Sequence, residues 1–210
     1  MQSPEEIKKQ NLQQRHDSRV REFIKTNFGP RYLESSLARF NAPVWACDLI
    51  AGWLREPKHF LVYHGAKGIG KTDLCASIIP WAFENFDFIR YHKDDVLLSR
   101  LRERMHFREG EYLKILENMI DDDFVILDDI GSGINPEKES KRDLEWRREI
   151  LFNFVDYRYN SLKPTLFTSN LTKEQFYEIY CERICSRLFA KENTIVGLWD
   201  KKYDKRVASF

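Results

Sequence analysis

The sequence has almost no net charge: 34 Lys and Arg against 33 Asp and Glu leave +1 at neutral pH. A chain this balanced has no global field to draw in nucleic acid, so any such contact must come from a local patch. Cysteine is scarce, with four in 210 residues, and none of Cys47, Cys75, Cys181 and Cys185 forms a C-x-x-C pair. Cys181 and Cys185 could share a helix face, but no nearby histidine pair completes a zinc set. The four read as reduced, mostly packed thiols of an intracellular protein. Long apolar runs are missing, and the N-terminus MQSPEEIKKQNLQQRHDSRVREF is too polar for a signal peptide. The expected compartment is the cytoplasm, with no membrane partner. Internal repeats and low-complexity tracts are absent as well. Hydrophobic content of 42% and charged content of 32% suit a soluble globular protein. The length allows one sizeable core, or one domain with a short appendage.

Two regions follow from the composition. Residues 1–28 are rich in Gln, Lys, Arg and Glu, with few apolar positions before Val20, Phe23 and Ile24. They read as a polar helical arm, a tail or partner-binding element that cannot form its own core. Gly29 and Pro30 break that pattern. Residues 29–210 read as one domain. Leu37 to Trp53 is helical and amphipathic, interrupted near Pro43. Strands and helices then alternate. HFLVYHG is a strand, and a helix from Lys71 follows, which Pro80 should kink. FDFIRYH is a strand, KDDVLLSRLRERM and EGEYLKILENMI are helical by period, and DFVILDD is a buried strand. GSGINPEKESKR, from Gly131 to Arg142, reads as a loop. A long helix runs from about Asp143 to Tyr159, with Ile150, Leu151, Phe154 and Val155 as its core face. PTLFTSN is a strand, the segment ERICSRLF is helical, and NTIVGLW is the last strand. This alternation predicts a three-layer α/β fold with a largely parallel sheet.

GAKGIGKT, Gly65 to Thr72, fits G-x-x-x-x-G-K-[ST] between an apolar strand and a periodic helix. Glycines let backbone N–H groups turn inward with no Cβ in the way, and a helix N-terminus adds partial positive charge. Gly65, Ala66, Lys67, Gly68, Ile69, Gly70, Lys71, Thr72 and Asp73 are the candidate nucleotide-binding residues. Lys71 should reach the β and γ phosphates of ATP, and Thr72 should offer its hydroxyl to Mg2+. FVILDDIG ends a buried strand in two acids, where a central strand meets a nucleotide. Asp128 would hold the magnesium shell, and Asp129 would orient the attacking water or accept its proton. In TLFTSN, Asn170 could bond the water or the γ-phosphate, or could serve only the strand-to-helix turn.

Arg183 and Arg187 lie four apart in ERICSRLF, with Lys191 four further on. On a helix they share a stripe, and like charges at this spacing are unfavourable. No acid stands three or four positions from either arginine.

The order of these motifs resembles the AAA+ ATPases of the DnaC/DnaI helicase-loader and IstB group. The stretches that carry the likeness are HGAKGIGKTDLCASI, DFVILDDIG, LFNFVDYRYNSLKPTLFTSNL and ERICSRL, spanning about Phe28 to Val207. The resemblance implies an AAA+ core with a five-stranded parallel sheet in the order 5-1-4-3-2. It places Gly65, Gly70, Lys71 and Thr72 in Walker A, Asp128 and Asp129 in Walker B, and Asn170 at sensor 1. Arg187 matches the arginine finger that acts on ATP of a neighbouring subunit, with Arg183 as its companion. The implied catalytic set is thus Lys71, Asp129, Asn170, Arg187 and Arg183, and self-association follows from it. Arg158, in DYRYN, could support the interface or DNA, or pack structurally. Loaders commonly carry a larger N-terminal domain, often with a zinc site. Here about 28 residues precede the core. Helicase binding by that route is not expected, or the short arm is expected to do it alone. The loop from Gly131 to Arg142 carries Lys138, Lys141 and Arg142, and is a DNA or partner contact or a solvated charged loop.

The function implied is an ATPase, bacterial or phage-encoded, that loads or remodels a replicative helicase on single-stranded DNA. The alternatives are an IstB-like transposition helper on duplex DNA and a weakly hydrolysing ATP-binding module that holds a helicase. A small-molecule P-loop kinase would lack the combined DD, TSN and SRL set.

Overall fold

The computed structural model of the chain describes residues 3–107, 114, 117, 119–134 and 139–204. Most of the EGEYLKILENMI helix expected from the sequence, and Lys138, lie outside them. The chain forms two compact units: Met1–Phe40 with Thr72–Asp87, and Asn41–Lys71 with Phe88–Phe210.

The larger unit holds five strands, β1 Phe60–Gly65, β2 Ile89–Lys93, β3 Phe124–Ile130, β4 Thr165–Ser169 and β5 Thr194–Leu198. They pair in parallel in the order β2-β3-β4-β1-β5. This is the expected 5-1-4-3-2 sheet. The inner strands are the apolar runs: every residue of β1 and β4 is buried, and β3 leaves only Asp129 partly exposed. Continuous burial demands cover on both faces of the sheet. The edge strands β2 and β5 are only partly buried, and their sequences are correspondingly mixed.

The pairing is regular up to Leu127↔Phe167 and resumes at Ile130↔Ser169. Asp128 and Asp129 therefore stand opposite the single residue Thr168. This is a bulge of one extra residue, a device that re-aims side chains at the end of a strand.

Four helices of this unit matter to the site: α4 Asp94–Phe107, α5 Lys141–Asn160, α6 Lys173–Ile179 and α7 Glu182–Leu188. Two earlier helices are α2 Val44–Arg55 and, opening directly after the glycine-rich loop, α3 Lys71–Asn85. Helix α5 begins at Ser140, whose hydroxyl accepts the N–H of Asp143 at 3.1 Å. Lys141 and Arg142 therefore lie in its first turn, a correction to the loop expected through Arg142. Ile150, Leu151, Phe154 and Val155 form its buried face, as their spacing predicts. Helix α5 packs on α7, and α6 on α7. Pro80 lies inside α3 and does not end it.

Arg158, at the end of α5, is fully buried. Its Nε donates to Thr165 Oγ1 at 2.7 Å, Nη1 to the carbonyls of Ile120 at 3.0 Å and Asp122 at 2.8 Å, and Nη2 to Pro164 O at 2.8 Å. This arginine closes the interior ends of three chain segments. Of the roles left open for it, the structure selects packing. Burial pulls its pKa down to about 10, so it keeps its charge at neutral pH.

In the smaller unit, α1 Pro4–Asn27 starts at a capping box between Ser3 and Glu6. Val20 and Ile24 are buried. Phe23 meets the Phe83 ring edge-on at 5.5 Å, and the Arg19 guanidinium lies 5.4 Å from the centre of the same ring. None of the four cysteines is in a disulfide; Cys75 and Cys185 are buried, Cys47 is half-buried and Cys181 is exposed. No helix of the described residues is long and apolar enough to cross a membrane.

Candidate functional site

Parallel strands deliver their C-terminal ends to one edge of the sheet. There β1 ends in the glycine-rich loop, β3 in Asp128 and Asp129, and β4 in Ser169 followed by Asn170.

The loop from Gly65 to Gly70 needs its glycines. Gly65 adopts φ +152°, and a Cβ there would stand 1.9 Å from Leu198 O. The same carbonyl accepts the N–H of Ala66 at 2.8 Å, so β5 pins the start of the loop. Gly68 and Gly70 both have φ +90°, a region closed to most side chains. The Asp204 carboxylate lies against Gly68. Ile69 is buried, and its carbonyl accepts the Tyr63 hydroxyl at 3.4 Å. Lys71 folds back over the loop and donates from Nζ to the carbonyls of Gly65 at 2.8 Å and Ala66 at 2.7 Å. Thr72 and Asp73 follow it in α3, and Asp73 Oδ1 accepts the Ser35 hydroxyl at 2.7 Å.

The bulge sets the two acids apart. Asp128 is 1% exposed. Its Oδ1 accepts the Thr168 hydroxyl, and its Oδ2 accepts the Tyr91 hydroxyl at 2.9 Å. Asp129 turns outward with φ +63°, an uncommon conformation for a residue with a Cβ. Its N–H donates to Thr168 Oγ1 at 2.8 Å, and Asn170 Nδ2 donates to its Oδ1 at 2.5 Å. Thr168 thus serves both acids: its hydroxyl proton goes to Asp128, and its lone pair takes the N–H of Asp129. The amide of Asn170 is aimed at the outward acid. The structure therefore brings together Asp128, Asp129 and Asn170.

Sequence reasoning missed Tyr91 and His64. Tyr91 is found only through the sheet order, because β2 pairs with β3 in a register that sets Lys93 opposite Asp128. His64 is 7% exposed, and its Nδ1 lies 3.2 Å from Leu171 O, next to Asn170. Its ring meets Phe189 and Trp199 edge-on. Burial lowers its pKa, which favours the neutral ring. No local pattern marks either residue.

Arg183 and Arg187 sit on α7, away from the acids in sequence and on a different element. Both guanidinium groups lie over the ring of Phe152 in α5, at 4.0 Å and 5.3 Å from its centre. Arg187 Nη1 donates to Arg183 O at 2.8 Å, and its Nη2 pairs with Asp156 Oδ1 at 2.5 Å. No acid stands three or four positions from Arg187, and the structure gives it a distant one. Its acid comes from α5, beyond the three- and four-residue neighbours that helix spacing reveals.

A glycine-rich loop at the end of β1, an acid pair on β3 and a polar amide after β4 define an α/β P-loop AAA+ core. The chain belongs to the family of IstB-like ATP-binding proteins, whose model matches residues 47–187. Among solved structures, the DnaC helicase loader superposes with a TM-score of 0.58 and 22% identity, covering 79% of this chain and 98% of that one. DnaI superposes at 0.57 with 21% identity, covering 80% of this chain and 92% of that one. AMPPCP-bound DnaA from Aquifex aeolicus reaches 0.62 at 18% identity, covering 78% of this chain and 50% of that one. No curated protein matches the chain.

Proposed function

We propose that this protein hydrolyses ATP and uses it to load or remodel a replicative helicase on single-stranded DNA. The observation that carries the hydrolytic reading is the divided acid pair. One carboxylate is buried and doubly bonded by hydroxyls, and the other is turned outward beside Asn170. Helicase loading is supported by the likeness to the DnaC helicase loader, which spans nearly all of that chain.

Mg2+ suits this donor set. It takes one or two carboxylates plus phosphates and water, and Asp128 offers a carboxylate whose orientation two hydroxyls fix. Asp128 and the Thr72 hydroxyl would hold it, and the ion would neutralise charge between the β and γ phosphates. The chain's own residues do the rest. The loop N–H groups cradle phosphate oxygens, and Lys71 exchanges its carbonyl partners for phosphate. Asp129 orients the attacking water, and Asn170 holds Asp129 in place. Arg187, released from Asp156, stabilises the γ-phosphate of a neighbouring subunit, with Arg183 beside it.

Co-purification with a hexameric replicative helicase, with and without ATP and single-stranded DNA, tests the reading. ATP-dependent capture of the helicase is expected. The IstB-like family match favours a second reading, a transposition helper on duplex DNA. Binding to a transposase and duplex DNA, with no helicase captured, would select it.

A further inference from the structure

The junction of β2 and α4 carries a buried carboxylate that the hydrolytic reading leaves without a task. Asp94 opens α4 and is 4% exposed. A buried charge is costly unless paired. Burial pushes its carboxyl up to about 6, with Asp95 and Asp129 acting in the same direction and the Gly131 N–H and Arg147 opposing. Burial, and Asp94 after it, suppress the ionisation of the Tyr180 hydroxyl, which a Cβ on Gly131 would meet at 3.4 Å. A group held at such cost has a partner worth locating, and Asp94 Oδ2 accepts the N–H of Gly131 at 3.0 Å.

Gly131 stands two residues after Asp129. Both have positive φ, +75° and +63°. Such a turn persists only where its surroundings over-determine it. From the β4 side, Thr168 Oγ1 takes the Asp129 N–H at 2.8 Å, and Ser169 Oγ donates to Ile130 O at 2.7 Å. From the β2 side, Asp94 takes the Gly131 N–H. A Cβ on Gly131 would stand 2.5 Å from Leu171 Cδ1, so Leu171 closes off that side of the turn.

We propose that Asp94 is a positioning residue for ATP hydrolysis: by accepting the Gly131 N–H it fixes the turn that aims Asp129 at the attacking water. This rests on the reading of Asp129 as the hydrolytic carboxylate. In this role Asp94 acts through the backbone of Gly131.

The test compares Asp94→Ala, Asp94→Asn and Asp129→Asn in the full chain, by Mg-ATP turnover and by hydrogen exchange at the Gly131 amide. Asp94→Ala removes the acceptor. It is expected to lower kcat about 10²-fold with KM for ATP unchanged, as small misplacements of reacting groups do. Asp94→Asn keeps an acceptor oxygen and is expected to retain most of kcat and a protected Gly131 amide. Parental kcat in Asp94→Ala, or an equal loss in Asp94→Asn, overturns the proposal. Free exchange at Gly131 in the parent overturns it too, and this measurement decides the matter if Asp94→Ala fails to fold. If Asp129→Asn hydrolyses ATP at the parental rate, the hydrolytic role of Asp129 fails. Gly131 exchange then still reports whether Asp94 holds the turn.

Discussion

The Arg187 guanidinium lies between an acid and a ring, Asp156 at 2.5 Å and Phe152 at 5.3 Å. Its pair with Asp156 is about a quarter to a third exposed, at 26% and 32%. Such a pair contributes little to folding, about 1 kcal/mol or less. It does fix where the guanidinium points, and Arg187 must leave Asp156 to reach a neighbour's phosphate. Asp156→Asn is therefore expected to melt within a few degrees of the parent. It should also reach half-maximal ATP turnover at lower protein concentration, because assembly no longer has to break the pair. An unchanged concentration dependence would show that the pair does not restrain the arginine. The sequence put both arginines on one stripe and named Arg187 the finger through family likeness. It could not show Asp156, which lies on another helix and reaches Arg187 only through the packing of α5 on α7.

At the scale of elements, the inner strands and α5 were legible because burial on both faces, or on one helical face, writes itself into the apolar pattern. The bulge was not. The letters LDDIG look the same whether or not two acids face one residue of β4, and only the register with Thr168 separates a buried Asp128 from an outward Asp129. Arg158 shows the same limit. Its sequence left interface, DNA and packing roles open, and only the fold shows its guanidinium bonding carbonyls at the start of β4 and around residues 120–122. Removing it strands those groups, at roughly 1–3 kcal/mol each. Arg158→Met, of similar length and apolar, is expected to lose on the order of 3 kcal/mol or more in urea unfolding. A loss below about 1 kcal/mol would mean that water or a shifted backbone satisfies the carbonyls. The start of α5 was misplaced because a charged run at a helix N-terminus resembles a loop until its cap, Ser140, is identified.

At the scale of the whole molecule, the candidate site has its phosphate loop, acids and amide on one sheet edge, while Arg183 and Arg187 lie on α7 against Phe152 of α5, and Arg187 pairs with Asp156. If Arg187 acts in trans as proposed, hydrolysis needs the arginine of a second subunit, and turnover should depend on assembly. The most direct measurement is ATP turnover in mixtures of two inactive variants, Lys71→Ala and Arg187→Ala. Lys71→Ala destroys the phosphate site and leaves the finger intact. Arg187→Ala does the reverse, with an expected loss of about 10³-fold or more. A mixture pairs an intact site with an intact finger at some interfaces, so its turnover should rise well above the sum of the two variants. No gain in assemblies shown by native mass spectrometry to contain both variants would contradict hydrolysis in trans.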